Sequence, residues 1–295
     1  MSGTSTHTDR TVLGIGLAFL SFAILAVADA MTKLLSGGYS IFEVAVIDSI
    51  VAMAVCLPVL VYQDGLASLR PRHMGIVALR GAVGAASLIT AFLSFSMIPL
   101  ADAYSLAFIA PLVVTALSVP ILREHVSWRQ WIAVIVGLVA VIVILRPNFG
   151  MGLGQLYILI SAILFAISML MLRRIAKTEP NGGLVLLYFV MVILISLPVA
   201  VPHWVTPNGH DLAIMVLTGI SSGLGNLLLI FAFRYAAATI VSSFMYSELI
   251  WGVIFGLVLF GDLPDLITIL GAVVLIGCGI YTLTHAAAAD RALPA

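Results

Sequence analysis

Glu248 stands in the stretch FMYSELIWGVIFG (244–256), inside an apolar run from Thr239 to Phe260. A carboxylate there can carry a proton, meet a substrate amine, or pin its helix to a neighbour through a hydrogen bond. Asp29 and Lys33 form a second constellation. They lie one helical turn apart with the acid first, the order that favours an i,i+4 pair. Mutual neutralisation is the expected role, and a gate or substrate contact is the alternative. Asp48 is a third charge in an apolar run, and the sequence offers it no partner. Tyr104, Phe108 and Pro111 recur at i, i+4 and i+7 and share one helical stripe. An aromatic stripe with hydroxyls suits an amphiphile with an apolar side chain and a cationic or zwitterionic head. Ordinary packing or lipid contact is the competing explanation. Pro111 also removes a backbone donor and is expected to kink its helix. Asn226, in SSGLGNLLL, carries an amide that needs either a neighbouring helix or a ligand. Arg80 is close enough to a helix end to snorkel.

Other chemistries are not spelled out. His73, His125, His203 and His210 show no metal-ligand spacing, and neither a phosphate-binding loop nor HExxH occurs. Cys56 and Cys278 sit singly in apolar runs, so neither a disulfide framework nor a metal cluster is suggested. A lipid-modifying enzyme would need acid, base or metal residues converging at a membrane interface. The polar residues here are instead scattered through apolar runs. No enzyme activity, cofactor, metal or nucleic-acid partner is expected.

The elements that must position these residues follow from composition. Only 9% of the 295 residues are charged, against 62% hydrophobic, where a soluble domain carries roughly 25% charged residues. The deficit runs the whole length, as in a polytopic membrane protein. Ten apolar stretches predict ten spans, near 12–35, 41–62, 74–97, 101–122, 128–146, 153–175, 183–204, 211–235, 239–260 and 265–285. The first is too long for a signal-peptide core and is expected to be retained. With the N-terminus in the cytoplasm, Arg10, Arg70, Arg72, Arg80, Arg123, Arg129, Arg173, Arg174, Lys177, Arg234 and Arg291 collect on one side. Lys33 and Arg146 alone fall on the other. The positive-inside rule then puts both termini in the cytoplasm. Trp128, Trp131 and Trp204 sit near span ends as interfacial anchors, whereas Trp251 lies within a span.

A shift of 138 residues lays LRGAVGAASL (79–88) over LTGISSGLGN (217–226), Ser105 over Ser243 and Glu124 over Asp262. LPV at 57–59 matches LPV at 197–199 at a shift of 140. Each repeat holds five spans, an odd number, so the second copy would enter the membrane inverted. Inverted repeats enclosing a midplane site are a transporter architecture. The shift also pairs the stripe of Tyr104, Phe108 and Pro111 with Ser242, Tyr246 and Leu249. Across a central cavity these two stripes should face each other, with Phe244 and Trp251 alongside.

The runs SMIPLADAYSLAFIAPLVVTALSVPILREHVSWRQWIAVIVGLVAVIVIL (96–145) and FRYAAATIVSSFMYSELIWGVIFGLVLFGDLPDLITILGAVVLIGCGI (233–280) resemble the drug/metabolite transporter superfamily. In particular they are similar to its ten-helix exporters with two EamA-type repeats. Pro111 and Glu124 match the family's pattern in the first copy, and Glu248 and Asp262 in the second. The chain departs from that pattern with Leu249 after Glu248, Asp262 for a closing Glu, and Asp48 where an Arg is common.

The resemblance implies an all-α polytopic protein of two inverted five-helix repeats, 12–146 and 153–285. Spans 1, 3, 4, 6, 8 and 9 would surround a central cavity, with spans 5 and 10 outside. It implies a bacterial-type inner-membrane exporter of amino acids, including aromatic or apolar ones, or of related amphiphilic metabolites. The mechanism would be alternating access, with protons as the only expected coupling ion and a monomer sufficient. Tyr104, Phe108, Ser242, Tyr246, Trp251 and Asn226 are the candidate substrate residues. Pro111, Glu248, Asp29 and Lys33 are the candidates for gating or coupling. A sugar or nucleotide-sugar transporter or exchanger, cationic drug efflux and a non-transporting membrane protein stay open as alternatives.

Overall fold

The computed structural model describes residues 3–122, 127–145, 152–175, 178–235 and 244–292, and over these it is helical throughout. The helices in chain order are α1 (Gly3–Leu35), α2 (Ile41–Asp64), α3 (Met74–Phe95), α4 (Leu100–Ala107), α5 (Ala110–Leu122) and α6 (Trp128–Leu145). After them come α7 (Leu153–Ile175), α8 (Asn181–Ala200), α9 (Gly209–Tyr235), α10 (Ser247–Phe255) and α11 (Leu266–Ala292). Among the described residues, 8 stretches are long and apolar enough to cross a membrane. They correspond to spans 1 to 8, with α4 and α5 together forming span 4. Two shorter apolar helices, Phe244–Phe260 and Leu266–Tyr281, take the places of spans 9 and 10. The expected start of span 9, at 239, and Glu124 lie outside the described residues.

Span 4 breaks where Pro111 required. The helix stops at Ala107, turns through Phe108 and Ile109, and restarts with Pro111 in its first turn. Proline offers no N–H to the carbonyl four residues back, Ala107, and its ring would crowd that carbonyl. In the first turn of α5 the missing donor costs nothing. Span 9 is irregular in a different way. Its α10 is preceded by a 3₁₀ turn, Phe244–Tyr246, and followed by a π-helical turn, Gly256–Phe260. Gly261, at φ 69°, adopts the left-handed conformation that ends it, and Asp262 N–H reaches back to the Gly256 carbonyl at 2.9 Å.

The principal pairings are span 1 on 8 and span 3 on 6; span 2 on 8 and span 3 on 7; span 4 on 6 and span 9 on 1. Spans 2 and 7 also pair, as do 4 and 9, and 5 and 10. Exchanging each span for the one five places along maps these pairings onto themselves, but span 4 also packs on span 10 without a comparable contact of span 9 on span 5 among the described residues. The main core surrounds the broken span 4, gathering Phe92, Tyr104, Phe108, Leu112, Tyr246 and Leu275. Span 5 exposes Ile132, Ile135, Val139 and Ile142 on its outer face, as a lipid-facing helix does.

Without a hydrophobic drive between helices in lipid, close backbone approach at small residues supplies much of the packing. The glycines of span 8 do this. A Cβ at Gly219 would lie 2.8 Å from the Asp48 carbonyl oxygen, and one at Gly223 2.9 Å from that of Ala52. Gly223→Ala therefore forces spans 2 and 8 apart and is expected to cost about 1–3 kcal/mol. Thermal unfolding in detergent micelles reads this as a lowered midpoint. Gly277→Ala, where nothing lies within 4 Å, should leave it unchanged or slightly raised.

Candidate functional site

Three spans bring their polar groups together. The Tyr104 hydroxyl on span 4 donates to Asp29 Oδ2 on span 1 at 2.6 Å. Glu248 on span 9 lies within electrostatic reach of both. Glycine makes room for the tyrosine: a Cβ on Gly252 would run into the Tyr104 ring. Gly252 is one helical turn past Glu248, so SELIWG puts a carboxylate and a notch on the same face of α10. The Tyr104 ring is fixed on its other side by Phe95, edge-on at 5.8 Å. Among the described residues neither Asp29 nor Glu248 has an ion-pair partner.

The aromatic stripes do meet, by direct contact. Phe108 packs edge-on against Tyr246 with ring centroids 5.1 Å apart. Trp251 joins span 9 to span 1 through Phe19, at 5.7 Å, and stacks on Phe255 at 6.2 Å. The Tyr246 hydroxyl and the Trp251 indole nitrogen are buried with no hydrogen-bond partner among the described residues. The Tyr246 hydroxyl is packed against Gly279 of span 10, where an added Cβ would overlap it. Ser242 lies outside the described residues.

Asp29 and Lys33 do not neutralise each other. The Lys33 ammonium donates to the Ile98 carbonyl at 2.8 Å and pairs with Asp262 Oδ2 at 3.4 Å. It also sits over the Phe260 ring, 4.9 Å from its centroid. Tyr104 already satisfies Asp29, and the π-turn with Gly261 brings Asp262 to the end of span 1. Asp48 has a partner that the sequence did not reveal, since Ser222 Oγ donates to its Oδ1 at 2.7 Å. Asn226 turns inward on its own helix, its Nδ2 donating to the Ser222 carbonyl at 2.8 Å. Arg80 lays its guanidinium over Tyr188, 5.6 Å from the ring centroid.

Both ends of the bundle are tied across the two halves of the chain. At the Lys33 end, Tyr39 donates to Asp211 at 2.7 Å and the Val205 N–H to Glu43 at 3.2 Å. At the opposite end, beyond span 2, Glu179 accepts from the Arg72 N–H at 2.6 Å, the His73 N–H at 3.0 Å and His73 Nδ1 at 2.7 Å. Burial alone would raise the Glu179 carboxyl. The His73 ring and the two backbone donors outweigh it and hold the group below its ordinary value of 4.5.

Comparison with known proteins places this geometry. The sequence matches the EamA-like transporter family twice, over residues 12–146 and 152–284. The chain belongs to the EamA-like transporter family. Among curated EamA-like relatives, it is 28% identical to the S-adenosylmethionine uptake transporter of Rickettsia prowazekii, over 91% of both chains. It is 26% identical to the pseudopaline exporter of Pseudomonas aeruginosa, over 89% of this chain and 93% of that one. A solved crystal structure at 18% identity shares the fold with a TM-score of 0.65, covering 94% of this chain and 97% of the other. The protein is thus a multi-pass membrane transporter of the EamA type.

Two outcomes follow from these contacts. Tyr104→Phe leaves Asp29 without its donor and should destabilise the protein by about 1–3 kcal/mol, read as a lower thermal midpoint in micelles. The Glu179 tie has a definite pH sign. A carboxyl lowered by folding contributes stability above its ordinary value of 4.5 and loses it as acid protonates the folded group. Glu179→Gln should therefore lower the thermal midpoint at pH 7.5, and the gap from the native protein should close as pH falls through the carboxylate range.

Proposed function

We propose that this transporter moves amino acids, or amphiphilic metabolites carrying an amino-acid head, across a bacterial-type inner membrane by alternating access. The observation that carries the reading is the cluster of Asp29, Tyr104 and Glu248. It sets two carboxylates from different spans within electrostatic reach of each other, and among the described residues neither has an ion-pair partner. A charge in mid-membrane costs about 2.5–3.5 kcal/mol by insertion scales, so such a pair calls for a proton or a cationic ligand. Trp251 and Tyr246 add aromatic rings, suited to an amine and to an apolar side chain. A sugar would draw on neither negative charge nor cation–π attraction.

The pairings of spans 1 with 8, 3 with 6, 2 with 8, 3 with 7, 4 with 6 and 9 with 1, which exchange with one another when each span is replaced by the one five places on, support two inverted repeats, 12–146 and 153–285, around a central site. Alternating access then consists of releasing one tied end at a time: Lys33 from Asp262 and Ile98 at one, Glu179 from His73 at the other. The break at Pro111 and the π-turn before Asp262 are the irregular points at which central helices can bend. Both termini lie in the cytoplasm on this reading, by the distribution of basic residues, and one chain suffices as the working unit. Export is the expected direction. Uptake is a second reading, supported by the relative in Rickettsia prowazekii that is named for it. S-adenosylmethionine is itself an amino acid with a sulfonium cation, the type of solute the carboxylate pair would attract.

Purified protein in liposomes, tested with phenylalanine and S-adenosylmethionine in counterflow under two pH gradients, decides the matter. Saturable flux of either compound is the expected result, and flux of neither would refute the reading. Glu248→Gln should abolish dependence on the pH gradient while the protein stays monodisperse. Unchanged dependence would remove Glu248 as the proton carrier.

A further inference from the structure

Among the described residues, Arg80 is an intramembrane cation that the cluster and the end ties leave unused. It lies six residues into α3, about 9 Å along the helix axis. Snorkelling would carry its head back toward Met74 and water. The guanidinium instead lies over the ring of Tyr188, itself seven residues into α8. The charge is therefore held inside the bundle. Its Nε is buried and has no hydrogen-bond partner among the described residues, and among them the side chain makes no ion pair.

The surroundings are built around this group from three spans. Gly84, one turn further along α3, leaves open the space beside the Ser168 hydroxyl and the Tyr188 ring, each 3.1 Å from where its Cβ would stand. Ser168 Oγ lies 3.5 Å from the carbonyl oxygen of Arg80. Tyr188 is also within electrostatic reach of Asp48 and Asp29, so the cation and the acidic groups share this tyrosine as a neighbour. An unpaired cation and carboxylates that reach the same aromatic residue, with no ion pair joining them among the described residues, are complementary to a zwitterion.

We infer that Arg80, backed by Tyr188, binds the carboxylate of a zwitterionic substrate, while the Asp29 and Glu248 cluster receives its cationic part. This rests on the amino-acid transport reading above and narrows it: the substrate must carry both charges. The planar guanidinium fork matches a carboxylate in two parallel hydrogen bonds, which a lysine ammonium cannot reproduce. Simple amines of the same shape would lose that contact.

The test compares substrate pairs that differ only in the carboxylate: S-adenosylmethionine with its decarboxylated form, and phenylalanine with phenethylamine. Counterflow is measured in liposomes with the full-length native chain, Arg80→Gln and Arg80→Lys. The native protein should prefer the carboxylated member of a pair. Arg80→Gln should lower its transport about tenfold or more and leave the decarboxylated partner within about twofold. Arg80→Lys should fall between. The inference is overturned if Arg80→Gln slows both members alike, as a structural role would, or changes neither. Should that variant fail to fold, Arg80→Lys still decides: an unchanged preference for the carboxylated member contradicts the assignment. Absence of saturable flux by the native chain for all four compounds would instead defeat the transport reading itself, and this inference with it.

Discussion

A carboxylate in a region without water must be protonated, hydrogen-bonded or paired, and the interior of this bundle is arranged around that constraint. Asp29 is answered by Tyr104 across two spans. That bond fixes the tyrosine ring, and the ring needs Gly252 opposite it. Gly252 in turn sets how closely α10 approaches span 4, and so where Glu248 stands. One polar contact thereby ties span 1 to spans 4 and 9, the two on which the irregular backbone is concentrated. Away from it, the bundle is held by small residues and interhelical hydrogen bonds, such as Ser21 to the Gly225 carbonyl and Cys56 to the Gly223 carbonyl.

The interior charges find partners across spans rather than along the sequence. Lys33 is one turn from Asp29 and leaves it for the end of the bundle, where it joins Asp262 and Ile98. This ties one end with a cation, and among the described residues it leaves Asp29 and Glu248 without an ion-pair partner. Glu179 closes the other end with three donors from one strand of loop. Ties of this size can be exchanged for solvent or substrate contacts at modest cost, as a bundle that opens at alternate ends requires.

Much of this was legible in the sequence because lipid simplifies the code. Spans 1 to 8 appear close to where hydropathy put them, since backbone groups in lipid must satisfy each other within a helix. Pro111 gave away the break in span 4, because a missing N–H acts locally. Tyr104, Phe108 and Tyr246 could be grouped because helical spacing and the repeat both pointed to them. Partners were harder. Asp29 with Lys33 followed the i,i+4 rule and failed, because the rule ignores a tyrosine hydroxyl arriving from another span. Asp48 with Ser222, Lys33 with Asp262 and Arg80 with Tyr188 are separated by more than 100 residues, and no local pattern encodes them. Tyr188 drew no attention at all. Its one signal was a polar-tipped aromatic at the depth of an unpaired arginine in a neighbouring span.

On the proposed transport path, Asp29 and Glu248 together form the cation-binding subsite. Carbodiimide labelling of membrane-embedded carboxyls, followed residue by residue by mass spectrometry, tests it most directly. A transported amino-acid substrate at saturating concentration should slow modification of Asp29 and Glu248 while leaving Glu43 unaffected. Modification of both at the same rate with and without that substrate would contradict the account.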